Sequence, residues 1–255
     1  MKKFIAMLLA LAMVMAFAGC AKTEAPATTS APETEAVVET AAPETEAAET
    51  EAAVTVMTHE EFMAAELESV VTVETYVQGH QSWWDNKITV YCQSEDGAYF
   101  LYELACSEED AAKLVPGTKI RVTGDKAEWA GEVEIMNGTF EFVEGDAYVA
   151  EALDVTELLG TDELIAHQNE FVSFKGMTVE AVEYKNGEPG DDIYVTLGLN
   201  GASYDFCVEV YLTGTESDVY TTVGTLNVGD VVDVEGFLYW YEGVNPHITA
   251  IALAA

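Results

Sequence analysis

Basic residues are what this sequence most lacks: ten lysines and arginines stand against 46 aspartates and glutamates in 255 residues, a formal charge of −36. So acidic a surface repels phosphate backbones, which disfavours nucleic-acid binding whatever the fold. Histidine is scarce as well. His59, His80, His167 and His247 keep no metal-ligand spacing, and His59-Glu60-Glu61 is not the paired-histidine motif of zinc proteases, so zinc is not expected. Beyond Cys20 only Cys92, Cys106 and Cys207 remain, an odd number without Cys-x-x-Cys spacing. That excludes a disulfide framework and leaves three buried thiols acting as small hydrophobes. Long apolar runs are absent apart from Phe4 to Phe17, which is too short to span a bilayer comfortably. Gly-x-Ser-x-Gly, a phosphate loop and a calcium-loop pattern are missing too. Carboxylates are so abundant that any pair can be nominated as an acid–base couple, so the sequence recommends none and a non-enzymatic protein is expected.

The apolar run comes after Met1-Lys2-Lys3, a short positive start, and the pattern reads as a cleavable signal. It ends in Phe17-Ala18-Gly19-Cys20, which resembles the lipobox of bacterial lipoproteins, with Phe17 in place of the usual Leu. The resemblance implies cleavage after Gly19, acylation of Cys20 and anchorage to the bilayer, outside the cell membrane in a Gram-positive-type envelope. More than one acyl chain makes such anchoring stable. Residues 20–55 then use almost only Ala, Glu, Thr and Pro, and Ala31-Pro32-Glu33-Thr34-Glu35-Ala36 recurs at Ala42 to Ala47. Nothing there can bury a core, so a disordered tether is expected, with a reach of roughly 30 Å and up to about 120 Å when straightened. Residues 56–255 keep 38 of the acids and seven of the bases, a net charge of −31.

An internal repeat organises residues 56–255. Leu114-Val115-Pro116-Gly117-Thr118-Lys119-Ile120-Arg121-Val122-Thr123-Gly124 matches Leu226 to Gly236 at an offset of 112, and Trp129 and Gly131 fall on Tyr241 and Gly243. Ile88 to Tyr91 likewise resembles Ile193 to Thr196. Glu60 to Leu67 and Asp162 to Gln168 each read as a short lead-in helix, carrying or adjoining His59 and His167. The repeat implies two related domains, 56–153 and 154–255. In the first, Val70–Gly79, Lys87–Gln93 and Ala98–Ala105 are β-branched and aromatic with period-two stretches, and Asp96-Gly97 marks a hairpin. Ser107 is placed to cap a helix that Pro116-Gly117 stops, and strands from Lys119 and Glu132 complete the unit. Three strands, a short helix and two strands is the order of the OB-fold, a five-stranded Greek-key barrel. Gly124 and Gly236 would ease the bend of its fourth strand. In the second copy, Thr213 to Thr225 replaces the clear helix by a weaker, Thr- and Gly-rich segment. The expected fold is therefore mainly β, two tandem five-stranded OB-fold-like barrels with short helices.

Tyr76-Val77-Gln78-Gly79, Trp83-Trp84-Asp85 and Gly236 to Ile248 also resemble a group of acidic secreted lipoproteins with tandem OB-like domains. That resemblance implies the fold and no activity. The chemistry left to the sequence is aromatic. His80, Trp83, Trp84 and Asp85 fall in the loop between the first two strands, where OB-folds take ligands, and combine apolar faces with hydrogen-bonding groups. Tyr239, Trp240, Tyr241 and His247 form a second candidate cluster near the end of the chain. Asp191 and Asp192 come after Gly187-Glu188-Pro189-Gly190 and would supply oxygens to Ca2+, the single cofactor the sequence allows. The leading expectation is a lipid-anchored binding or adhesion module for an envelope glycan, peptide or protein. Its alternatives are a surface hydrolase using paired carboxylates and an extracytoplasmic nucleic-acid-binding protein, which would need a basic groove from Lys113, Lys119, Arg121 and Lys126.

Overall fold

A computed structural model describes residues 55–254; the signal, Cys20 and the tether lie outside the described residues. The chain enters through α1 (His59–Ala64), which Thr58 and Glu61 start with reciprocal side-chain to backbone hydrogen bonds, 3.2 and 2.9 Å. The helix ends at Ala65, earlier than the expected Leu67, where the backbone turns extended. Then come β1 (Val70–His80), β2 (Lys87–Ser94) and β3 (Gly97–Ala105), with α2 (Glu108–Ala111), β4 (Lys119–Trp129) and β5 (Glu132–Phe142) after them. Ser107 caps α2 by accepting from Asp110 N, and three acids sit in its first turn.

These five strands close a barrel in the order β1-β2-β3-β5-β4, antiparallel except for a short parallel β3–β5 ladder. Closure needs β1 to bend: Val70 to Tyr76 pair with β4, and Tyr76 to His80 with β2. Alternation fills the interior. Ile120 and Val122 of β4 point inward with Gly124 and Lys126, alongside Val71, Val73, Leu101, Leu104 and Ile135. Gly124 marks a register shift against β5, and a Cβ there would meet Met136 O at 2.7 Å. The β2–β3 turn is Glu95-Asp96 rather than Asp96-Gly97, because Gly97 is already paired with Ser94. Gly97 is required nonetheless, since any Cβ would overlap the His59 ring.

The second sheet runs β6 (Leu153–Asp154), β7 (Phe171–Tyr184), β8 (Ile193–Leu199), β9 (Ala202–Val208), α3 (Val210–Thr213), α4 (Asp218–Val223), β10 (Val231–Phe237) and β11 (His247–Leu253). Its order is β6-β7-β8-β9-β11-β10, and a β7–β10 ladder joins its ends into a ring of five strands with β6 beside β7. Again the pair closing the ring across the helices, β9–β11, is parallel. Gly236 of β10 also sits at a register shift, and a Cβ there would overlap the His247 backbone. Two expectations are corrected here. The 162–168 segment forms only the 3₁₀ turn Leu164–His167, with no side-chain cap to extend it. Residues 213–225 are not a single weak segment. Gly214 ends α3, and Ser217 caps α4, which buries Val219, Tyr220 and Val223.

Each sheet has its own apolar core, and a third cluster of Tyr91, Phe100 and Phe237 lies between them. Tyr91 stacks on Phe237 at 4.5 Å, and its hydroxyl meets His247 Nδ1 at 2.7 Å. Polar contacts extend this seam. Phe171 N donates to Gln93 Oε1 (2.7 Å), Gln168 bridges Val133 N and Gly131 O (3.2 and 2.8 Å), and Glu242 N donates to Ala130 O (2.8 Å). The last contact joins the β4–β5 turn to the β10–β11 connection, between residues that the 112-residue repeat aligns.

Candidate ligand groove

Between β1 and β2 the backbone is pinned rather than loose. Gln81 N donates to Thr89 O, and Trp84 and Lys87 exchange two backbone bonds of 3.1 and 2.9 Å. Asp85 and Asn86 between them both take positive φ, 48° and 60°, which makes a type I′ turn. Asp and Asn tolerate that conformation better than other residues with a Cβ. The turn throws the two tryptophans to opposite fates. Trp83 is half-buried, packs on the first barrel's core and donates Nε1 to Cys106 O at 2.9 Å. Trp84 is 71% exposed.

Trp84 forms one wall of a groove of about 390 Å3, lined also by Gln81, Trp83, Lys87, Glu103 and Tyr211. Tyr211, from α3, is 62% exposed and was not legible as a site residue. Its carbonyl accepts from both Ser82 N and Ser82 Oγ, at 2.7 and 3.2 Å, so the first barrel's loop is stitched to α3 beside the groove. Lys87 and Glu103 pair at 2.6 Å across the β2–β3 edge, and that bond raises the Lys87 pKa. Thus the groove offers two aromatic faces, one ion pair and the Gln81 amide.

Asp191 and Asp192 reach this site indirectly. They do not form an oxygen cluster: Asp192 Oδ2 pairs with Lys185 at 2.9 Å and Oδ1 accepts from Val210 N at 2.9 Å, while Asp191 binds Asn186 and Asp192 N. Among the described residues no group of three or more His, Cys, Asp or Glu could hold a metal ion. The acid pair therefore holds an ammonium and the first turn of α3. Glu209 caps the same turn through Tyr211 N and Leu212 N, and burial, with nearby Asp192 second, pushes its pKa up to about 7.

The remaining expected residues scatter. His80 sits at the end of β1 with Nδ1 2.8 Å from Gln81 O and lines a different groove, of about 550 Å3, with Leu212 and Phe237. His247 is buried, stacked on Tyr239 at 4.3 Å, and burial holds its pKa down to about 4. Tyr239 also meets Phe100 edge-on at 5.1 Å, so both residues belong to the seam. Trp240 lies against Gly131, so closely that a side chain at that position would meet its ring at 2.8 Å, and Tyr241 is exposed. His59 and His167 are half-buried, the first against Tyr99 and the second 2.9 Å from Glu170. Cys92, Cys106 and Cys207 are free and buried, and burial raises all three thiol pKa values, Cys106 to about 11.

The lysines and arginine of the described residues are engaged. Lys113 pairs with Glu109 and Asp110, Lys119 and Arg121 share Glu74, and Lys175 meets Asp154. Lys126 is buried, its Nζ donating to Met63 O and Ala65 O. The expected basic cluster is thus dispersed into ion pairs and one helix clamp. Two carboxyls with strongly raised pKa, Glu132 at about 8 and Glu134 at about 7, are buried on β5, shut away from the groove.

No protein-family model matches the sequence, and no curated protein matches it. Among solved structures the chain is similar to a murine DNA-binding protein bound to double-stranded DNA, at 12% identity and a TM-score of 0.36, over 72% of this chain and 96% of that one. A p204 HINb domain is similar at 13% identity and a TM-score of 0.32, over 71% and 95%. A replication protein A heterotrimer bound to single-stranded DNA matches at 13% and 0.29, over 71% and 50%. Likenesses this distant carry no function across to this chain.

Proposed function

We propose that this chain is a non-enzymatic binding module with two OB-like barrels, lipid-anchored at Cys20 outside the cell membrane, whose groove between Trp84 and Tyr211 seats an envelope glycan. The exposed pair of aromatic faces carries this reading. Sugar rings present apolar C–H faces to aromatic rings and hydroxyls to planar polar groups, and the groove supplies both kinds of surface. Exposed aromatics held by a tied backbone also lose little conformational freedom on binding. The like pairing of strands in the two sheets supports the tandem reading, and the lipobox pattern supports the anchor.

Three observations favour binding over the alternatives. The net charge of −31 on residues 56–255, with its bases paired or buried, opposes a polyanionic ligand. Glu132 and Glu134 are shut away on β5 and Glu209 spends both carboxylate oxygens on the first turn of α3, whereas a hydrolase needs a free acid open to substrate. Cation coordination by Asp191 and Asp192 would compete with Lys185. A glycan array probed with the full-length chain is expected to give hits that Trp84→Ala and Tyr211→Ala each weaken at least tenfold, about 1.4 kcal/mol. Hits indifferent to both substitutions would remove the groove as the seat.

A further inference from the structure

The seam contains a pair of orphaned oxygens that one proton would satisfy. Glu132, on β5, is fully buried. Its Oε2 accepts from Trp240 N at 2.9 Å, and its Oε1 has no partner. The side chain beside it is Asn169, buried at the entry to β7. Asn169 donates Nδ2 to Val133 O at 3.2 Å, which fixes the amide so that Oδ1 also lacks a partner. Each of these buried acceptors is left unsatisfied, a state that costs on the order of 1–3 kcal/mol per group. A protonated carboxyl, unlike a carboxylate, has an O–H to give.

We propose that Glu132 stands in the seam as a neutral carboxylic acid, donating its O–H to Asn169 Oδ1, and that this proton locks the second sheet onto the first barrel. With it, the carboxyl donates to the β7 entry and accepts from the β10–β11 connection, while its own backbone belongs to β5. One side chain thereby ties three elements across the two halves. Release of the proton to water leaves a buried carboxylate facing an amide oxygen, and the tie becomes a repulsion.

The surroundings favour the neutral form. Burial is the largest influence and pushes the Glu132 pKa up to about 8, outweighing the Asn169 side chain and the Trp240 N–H, which favour the carboxylate. From its own strand Glu134 acts in the same direction as burial, and from the opposing connection the Tyr239 hydroxyl is the titratable neighbour. The residues packed on it from the β7 entry, Gln168 and Asn169, are uncharged, and Trp129 pairs with it from β4. Neither lysine, arginine nor histidine figures among the groups acting on it. Since the groove takes Trp84 from one half and Tyr211 from the other, the seam proton also governs how its walls meet. That consequence, unlike the proton itself, rests on the groove being the ligand seat.

Glu132→Gln is the decisive variant, because the amide presents an N–H to Asn169 and an oxygen to Trp240 N at any pH. Isotope-edited infrared spectra of 13C-glutamate-labelled full-length chain at pH 7 should show a protonated-carboxyl band that weakens in Glu132→Gln. Denaturant titrations should show wild type losing stability from pH 6 to 9, with the variant's loss smaller by up to about tenfold in folding constant per pH unit, the slope of one proton. At pH 8.5 the variant should be the more stable protein. An unchanged infrared band, an unchanged pH slope, or a variant less stable than wild type at pH 8.5 would each overturn the proposal, the last because it would mean that Asn169 donates to a carboxylate.

Discussion

Adjacent residues of one type can hold opposite roles, and the two tryptophans of the β1–β2 loop are such a case. Trp83 is anchored to Cys106 O and packed on a core, while Trp84 stands in solvent. Trp83→Ala should cost about 2–3 kcal/mol of stability, below the roughly 3–5 kcal/mol of a fully buried aromatic because the ring is only half-buried. Trp84→Ala should stay within about 0.5 kcal/mol of wild type. Thermal or denaturant unfolding of the two variants checks the contrast, and equal losses would contradict it. The sequence placed both residues in one loop but carried no sign of which ring turns inward, since that depends on a carbonyl 23 residues downstream. His247 illustrates the same limit. Its neighbour Pro246 and the aromatic run before it were legible, but its partner Tyr91 lies 156 residues away.

Elements were the most legible level, because capping and alternation are local. Ser107 and the acids after it announced the start of α2, which ends at Ala111, before the expected stop at Pro116-Gly117. β-branched alternation gave β1 to β3 to within a residue and the first residues of β4 and β5. What failed was composition read without caps: the Thr-rich 213–225 stretch hides Ser217, which accepts from Tyr220 N and starts α4. Calcium was inferred from acids alone, while the lysine that claims them, Lys185, lies on the other side of the turn. Lys126 shows how a polar residue in an inward register gains a use. It ends the inward row of β4 and ties the last carbonyls of α1, over the Phe62 ring at 5.3 Å. Lys126→Met should keep the volume and lose the clamp, lowering stability by about 1–3 kcal/mol. Amide hydrogen exchange should accelerate in α1 first, and protection unchanged there would refute the clamp.

For the whole molecule, buried acids and a buried histidine set opposite trends with pH. Glu132, Glu134 and Glu209 have raised pKa values, so the folded state holds protons that the unfolded chain has lost between about pH 4.5 and 8. Their stabilisation is present at low pH and is lost as pH rises through 7 and 8. His247 acts the other way: held neutral, it costs stability as pH falls from 6.5 toward 4. Glu74, lowered by Lys119 and Arg121, adds to the loss on the acid side. Three raised carboxyls outweigh one histidine until the unfolded carboxyls themselves take up protons, so stability should peak near about pH 4.5 and decline toward pH 8.5. A monotonic rise to pH 8 in denaturant midpoints would contradict this balance. Mutual repulsion of the acidic surface adds to the alkaline loss, and salt should reduce that part while leaving the buried groups' share.

The unequal settings of the indole rings also give the chain its own optical reporters. Trp84 and Trp129, both mostly exposed, should emit at long wavelength and be quenched readily by small solutes, whereas Trp83 and Trp240 are shielded by the barrel core and by Gly131. Trp240 donates its backbone N–H to Glu132, so its emission should register the seam. Trp84 lines the groove, so its emission should register an occupant there. Single-tryptophan versions of the chain would thus read the two places separately by light alone, with no dye attached.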